Sequence, residues 1–252
     1  EQVADLQAAA ERVDTLRQEQ DQLRTELAQL AAQVSRARQE AADRLAEAVA
    51  AELAALAMPG ARLSVEVRQV AYPQGLLVDG RSVAFGPDGV DEVTFLLAAH
   101  PGAPARPLGR AASGGELSRM MLAVEVVLAG VDPVPVFVFD EVDAGVGGRA
   151  AQEVGRRLAR LARTAQVLVV THLPQVAAFA DRHLVVTKST DGSVTSSGVR
   201  AVDGPDRVRE LARMLAGVDS SEAATTHARE LLDLAGADTG PAAGRTRRAT
   251  RQ

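Results

Sequence analysis

The 252-residue sequence predicts an α/β lobe carried at the end of a long coiled-coil helix. Three observations predict it. From Leu6 to Ala41, apolar residues recur at alternating spacings of three and four. Val136 to Phe139 is an unbroken β-branched and aromatic run that stops at two carboxylates, Asp140 and Glu141. Gln166 to Val170 is a second such run, and it stops at Thr171 and His172. Short apolar runs of this kind fit strands buried on both faces of a parallel sheet. The C-terminal ends of parallel strands face the crevice where α/β proteins bind ligands.

The composition narrows the chemistry. There is no cysteine, which excludes disulfides and thiolate metal sites and suits a reducing cytosol. No apolar run is long enough to cross a bilayer and no signal peptide is present, so the expectation is a soluble, cytoplasmic protein with no membrane partner. The net charge of -5 argues against a uniformly basic surface that wraps DNA, and 2% aromatic residues argue against base-stacking platforms. Lys188 is the only lysine, and no glycine-rich turn precedes it. A phosphate-binding P-loop needs Gly-Lys-Ser/Thr after such a turn, so this chain carries none.

In chain order, the heptad seam is Leu6, Ala9, Val13, Leu16, Gln20, Leu23, Leu27, Leu30, Val34, Ala37 and Ala41, with charged and amide residues between. It loosens through Leu45, Val49 and Leu53 and ends at Met58-Pro59-Gly60, a strong helix breaker. A straight helix of that length reaches roughly 80 Å at 1.5 Å per residue. The stripe is narrow, as a coiled-coil seam requires and a core-facing helix does not. Such a seam needs a second strand. The expectation is that another arm precedes Glu1 in a longer protein, with a homodimeric coil as the competing arrangement.

Alternation at Leu63, Val65 and Val67 predicts a half-exposed strand. Further strands are expected at Val83 to Phe85 and Val93 to Leu97, with Asp79-Gly80 as a hairpin turn and Pro101 to Pro107 as a loop. Helical spacing at Leu117, Met121, Val124 and Leu128 places Ser113, Gly114 and Gly115 at a helix N-terminus. Two readings fit that turn. Exposed backbone N–H groups and the helix dipole make an anion site that glycines open to close approach. Equally, Ser113 is an N-cap with Glu116 closing a capping box.

Helices are expected near Arg149 to Arg163, Pro174 to Ala180, Pro205 to Ala216 and Ser221 to Leu234. Strands at His183 to Thr187 and Val194 to Val199 are joined by a turn at Asp191-Gly192. The divisions are an arm over 1–58, a lobe over 59–235 and a disordered basic tail over 236–252, where Arg245, Arg247, Arg248 and Arg251 cluster.

The order of these parts is more specific than any one of them. Ala112 to Arg119 (Ala-Ser-Gly-Gly-Glu-Leu-Ser-Arg), Phe139 to Gly148 (Phe-Asp-Glu-Val-Asp-Ala-Gly-Val-Gly-Gly) and Thr171 to Ala177 (Thr-His-Leu-Pro-Gln-Val-Ala) resemble the C-terminal lobe of an ABC-type ATPase head. The preceding arm narrows the resemblance to the SMC-like branch that acts in DNA repair. It covers nearly the whole chain up to about Leu234.

The resemblance implies roles. Ser113, Gly114, Gly115 and Glu116 would form the signature motif that contacts the γ-phosphate of ATP held by a second head. Asp140 would act on Mg²⁺, Glu141 would polarise the attacking water, and His172 would sense the γ-phosphate. Asp143 and the glycines after it would form the loop that crosses the head–head interface. The SMC pattern has a second aspartate four residues beyond Asp143, where this chain has Gly147.

The implied function is half of an ATP-driven machine for DNA double-strand break repair and recombination. Its partners would be an N-terminal half carrying the P-loop, a second head and DNA, at the nucleoid. The alternatives are a coiled-coil tether that binds no nucleotide, and a different SMC-like or zinc-hook repair ATPase head.

Overall fold

The computed structural model of the chain describes residues 2–110, 113–129, 131, 134–191, 194–217 and 221–239. Helix α1 runs unbroken from Gln2 to Ala55. It ends where Ala57 takes a left-handed conformation at φ 60° and the Met58 N–H reaches back to the Leu53 carbonyl at 2.9 Å, ahead of Pro59. The last turns of α1 are not solvated. Val49, Leu53 and Leu56 are fully buried in the main core.

Strand β1 (Arg62–Gln69) pairs antiparallel with β4 (Asp91–Ala98), which also holds the two-residue strand β5 (Arg106–Pro107). Between β1 and β4 lies a hairpin of β2 (Ala71–Val78) and β3 (Arg81–Val83). Its turn is Asp79-Gly80, both at positive φ (48° and 79°), as the expected tight turn requires. Strand β3 stops at Val83, short of the expected Phe85, because the Ala84 N–H turns to the Val70 carbonyl and Phe85 is left outside and half-exposed. The hairpin lies against the arm: Leu76, Val78, Val83 and Val90 form a small core with Ala31 and Ala32.

Helix α2 (Gly114–Leu128), strand β6 (Val136–Phe139), helix α3 (Gly148–Leu161) and strand β7 (Gln166–Val169) form the central unit. β6 and β7 are parallel, with Phe139 opposite Val169. Helix α2 buries Gly115, Arg119, Met120, Leu122, Ala123, Val124 and Val126, so it is covered on more than one face; of the expected spacing Val124 is buried and Met121 is exposed. Glu52 on α1 accepts from Arg157 on α3 at 2.8 Å, tying the root of the arm to this unit.

One expectation is overturned. β6 and β7 are not buried on both faces: Val136, Val138, Leu168 and Val170 are 45%, 70%, 46% and 63% exposed. Only the face bearing Phe139 packs, because α1, α2 and α3 all lie on that side. Nothing among the described residues covers the other.

A second core joins the short helix α4 (Pro174–Ala177) to helices α5 (Gly204–Ala216) and α6 (Glu222–Thr239). The hairpin β8 (His183–Asp191) and β9 (Val194–Val202) precedes α5. Gly192 of its expected turn lies outside the described residues. Helix α6 runs past the expected end at Leu234 and through Gly236 to Thr239. Ala235 is buried in the second core and Asp238 accepts from Arg156 at 2.7 Å, so the last turn is held by packing and charge. The rest of the expected tail, 240–252, lies outside the described residues.

Candidate active site

The parallel register decides the site. Because Phe139 stands opposite Val169 and the Val170 N–H donates to the Phe139 carbonyl at 3.0 Å, Asp140-Glu141 and Thr171-His172 leave the sheet at the same edge. Asp140 and Glu141 are exposed. The Asp140 Oδ1 accepts from the Glu141 N–H at 2.9 Å. Glu141 itself sits at φ 56°, a left-handed conformation rare for a residue with a β-carbon and often kept where function demands it. The chain turns tightly after it, with the Ala144 N–H on the Glu141 carbonyl at 3.0 Å.

The N-terminus of α2 abuts this turn. Ser113 is its N-cap, and the capping box is complete: Ser113 Oγ accepts from the Glu116 N–H, and the Glu116 carboxylate accepts from the Ser113 N–H. Glu116 is therefore engaged in the cap. The cap and the anion-site readings of this turn are compatible, since the cap only fixes where the helix begins. Gly115 is required by contact: a β-carbon there would stand 2.7 Å from the Ala144 β-carbon and 3.1 Å from the Glu141 carbonyl oxygen. Ser118 Oγ donates to the Asp140 carbonyl at 2.7 Å, and Arg119 Nη1 donates to the Ala144 carbonyl at 2.6 Å.

Asp143 turns inward. Its Oδ2 accepts from Thr171 Oγ1 and from the His172 N–H, the latter at 3.1 Å, and lies 3.3 Å from His172 Nδ1. The His172 side chain is 75% exposed. Burial pushes the Arg119 guanidinium below its ordinary proton affinity, against the opposing charges of Glu116 and Asp143.

The structure thus brings Ser113, Gly114, Gly115, Glu116, Asp140, Glu141, Asp143 and His172 to one edge of the lobe. Sequence reasoning missed Ser118, Arg119 and Thr171, which stitch these parts together. A signal was available in Arg119, an arginine on the stripe Gly115, Leu122 and Val126 that α2 buries. Among the described residues no group of three or more acidic or histidine side chains is arranged to hold a metal. A single exposed carboxylate such as Asp140 fits Mg²⁺, which keeps most of its waters and shares its other ligands with phosphates.

A long helical arm is rooted in an α/β lobe that carries two carboxylates and a histidine at adjacent parallel strand ends, and the family match identifies this as an SMC head-like fold. Residues 8–195 match the RecF/RecN/SMC N terminal domain, and the chain belongs to that family. Within it, the resemblance runs to DNA repair protein RecN. The chain is 66% identical over 220 residues to that of Streptomyces coelicolor, covering 87% of this chain and 38% of the relative. It is 51% identical to that of Mycobacterium leprae, covering 94% of this chain and 42% of the relative. With that of Deinococcus radiodurans it shares 43% identity, over 92% of this chain and 38% of the relative. The chain thus spans about two fifths of the length of these relatives. Among solved structures, the Smc head domain with a coiled coil and joint from Pyrococcus yayanosii overlaps 66% of this chain and 28% of its own, at 22% identity and a TM-score of 0.43. Among the described residues, no helix is long and apolar enough to cross a membrane.

Proposed function

We propose that this chain is the C-terminal half of an ATPase head that works in DNA repair, as the name of its relatives suggests, and specifically in double-strand break repair and recombination at the nucleoid. One observation carries the reading. Asp140, Glu141 and His172 emerge at a common strand-end edge, with the glycine-started N-terminus of α2 against them.

Within this reading, Asp140 would hold Mg²⁺ and Glu141 would orient the attacking water. Mg²⁺, when bound, neutralises charge on the transferring phosphoryl group. Ser113, Gly114 and Gly115 offer the dipole end of α2 to the γ-phosphate of ATP bound by a second head. Glu116 supports that turn through the capping box. Gly145, Gly147 and Gly148 form the loop that crosses the head–head interface, and Asp143 is its buried root. A P-loop must come from an N-terminal half. The exposed apolar face of β6 and β7 offers a place for that half to dock, and the unpaired seam of α1, with Leu16, Leu23 and Leu30 all more than half exposed, offers one for a second arm. DNA would be the assembled machine's substrate.

The test is ATP turnover by this chain, alone and mixed with a purified half that carries the P-loop. The reading expects no turnover alone and turnover in the mixture. Glu141→Gln is expected to abolish that turnover and hold the ATP-bound heads together. A mixture that assembles and remains inactive leaves the coiled-coil tether as the better account.

A further inference from the structure

Asp143 and Arg119 are the two charged residues among those described that are buried backbone and side chain together, at 2% and 6% exposure. Neither touches the nucleotide position that the proposed function assigns. Both lie behind it, and burying a charge is costly unless it is used.

The use of Asp143 is visible in its contacts. All three involve Thr171 and His172: the threonine hydroxyl, the histidine N–H and the ring Nδ1. Thr171 Oγ1 in turn accepts from the Leu173 N–H at 3.0 Å, so the turn after β7 is folded around this carboxylate. Among the described residues the His172 ring has no other hydrogen-bond or ion-pair partner, and its side chain is 75% exposed. Without Asp143 it would be an ordinary solvated imidazole, free to rotate and to carry its proton on either nitrogen. Which ring nitrogen is protonated is set by the hydrogen bond made by the other. The Asp143 carboxylate, 3.3 Å from Nδ1, is the acceptor on that side of the ring and leaves Nε2 turned outward.

Arg119 explains how a carboxylate can lie so deep. Its guanidinium is buried on the α2 side of the same turn and fixed at Nη1 by the Ala144 carbonyl, while its Nε has no partner. It places a positive charge within reach of Asp143 without a direct ion pair.

We propose that Asp143 is the positioning residue for His172, fixing the orientation and Nδ1–H tautomer of its ring, with Arg119 as the buried counter-charge that ties this pair to the N-terminus of α2. The signature turn and the histidine then move as one block. This rests on the reading of His172 as a phosphate-sensing residue.

The test has two readouts. The chain contains four histidines, so the ¹⁵N imidazole signals of His172 can be assigned by their loss in His172→Gln. In the unaltered chain, His172 is expected as the Nδ1–H tautomer. Asp143→Ala should revert it to Nε2–H. Asp143→Asn should keep both the fold and the tautomer, because an amide oxygen in the place of Oδ2 still accepts from Thr171, from the His172 N–H and from Nδ1–H. An Nε2–H ring in the unaltered chain, or a tautomer that ignores Asp143→Ala, overturns the proposal.

In the assembled ATPase, Asp143→Ala should lower kcat by about tenfold with the KM for ATP nearly unchanged, Asp143→Asn should largely restore it, and Asp143→Ala should cost nothing more in a His172→Ala background. An equal loss in both backgrounds also overturns it. If His172→Ala alone leaves turnover intact, the phosphate-sensing role falls, and the tautomer still decides what Asp143 does.

Discussion

Gly114 and Glu141 are in contact: a β-carbon on Gly114 would stand 2.5 Å from Glu141 Oε2. The first helical residue of α2 and the strand-end acid thus share one small space. The carboxylate lies against the positive end of the helix, where an anion is favoured.

The two glycines of this turn should respond differently to alanine. At Gly114 the obstacle is the far end of a flexible side chain, so Gly114→Ala should displace the Glu141 carboxylate and change stability by less than about 1 kcal/mol. At Gly115 the obstacles are the Ala144 β-carbon and the Glu141 backbone. Gly115→Ala should destabilise by about 1–3 kcal/mol. Thermal melts of the two variants check this, and the ordering is the prediction.

Ala57 occupies a left-handed C-terminal position of α1 at φ 60°, where glycine is the usual residue. Ala57→Gly should stabilise the chain by about 0.5–1 kcal/mol, seen as a raised midpoint in urea with an unchanged slope.

Asp91 fastens the arm to the lobe. Its side chain is 1% exposed and accepts from Ser35, from Arg38 at 3.0 Å and from Gln69 at 3.3 Å. Burial alone would raise this carboxyl, but the three hydrogen bonds and the Arg38 charge outweigh it and hold it below its ordinary value of 3.8. A depressed carboxyl adds stability above its unfolded value and loses it as pH falls through the folded one. Melting temperature should therefore drop on the acid side of about pH 3.8, and Asp91→Asn should flatten that drop while lowering stability at pH 7.

His183 works in a higher window. Burial and the nearby Arg207 charge push it below the ordinary imidazole value of 6.5, with Glu210 in partial opposition, and its Nδ1 has no partner. The unfolded chain takes up the proton first, so stability is full above pH 6.5 and declines as pH falls through it. His183→Leu gives up no Nδ1 hydrogen bond and should remove most of the decline between pH 7 and 5.5, followed by thermal melting.

Arg207 donates through Nη2 to the carbonyls of Ala177, Ala178 and Ala180, closing the end of α4. Arg207→Met should leave these carbonyls without their donor and cost about 2 kcal/mol.

The long arm, the parallel pair and the capped turn were legible because each rests on a local pattern: a three-four spacing, a β-branched run, and a serine three residues before a glutamate. The exposed side of Val138 and Leu168 was not, since an apolar run says that a strand can be buried on both faces but not that something is there to bury it. The inward turn of Asp143 was hidden for a related reason. Its partners Thr171 and His172 lie 28 and 29 residues away, and only the β6–β7 register brings them together. The end of α6 was misplaced because a glycine at 236 reads as a stop, whereas the pair of Arg156 with Asp238 carries the helix past it.

The arm is held along much of its length. Arg24 bonds the Gly75 carbonyl and lies over the Phe85 ring, Ser35 and Arg38 hold Asp91, and Leu53 is buried in the core that also holds Phe139. From Arg24 to Leu53 the helix spans about 40 Å at 1.5 Å per residue. Over that distance it is a rigid spar continuous with the layer beneath the strand ends, and the first place it can flex lies outward of Arg24. A pull applied at Arg24 should therefore reach Asp140 and Glu141 as a tilt of the whole lobe, and one applied farther out only after the free stretch has stiffened or bent.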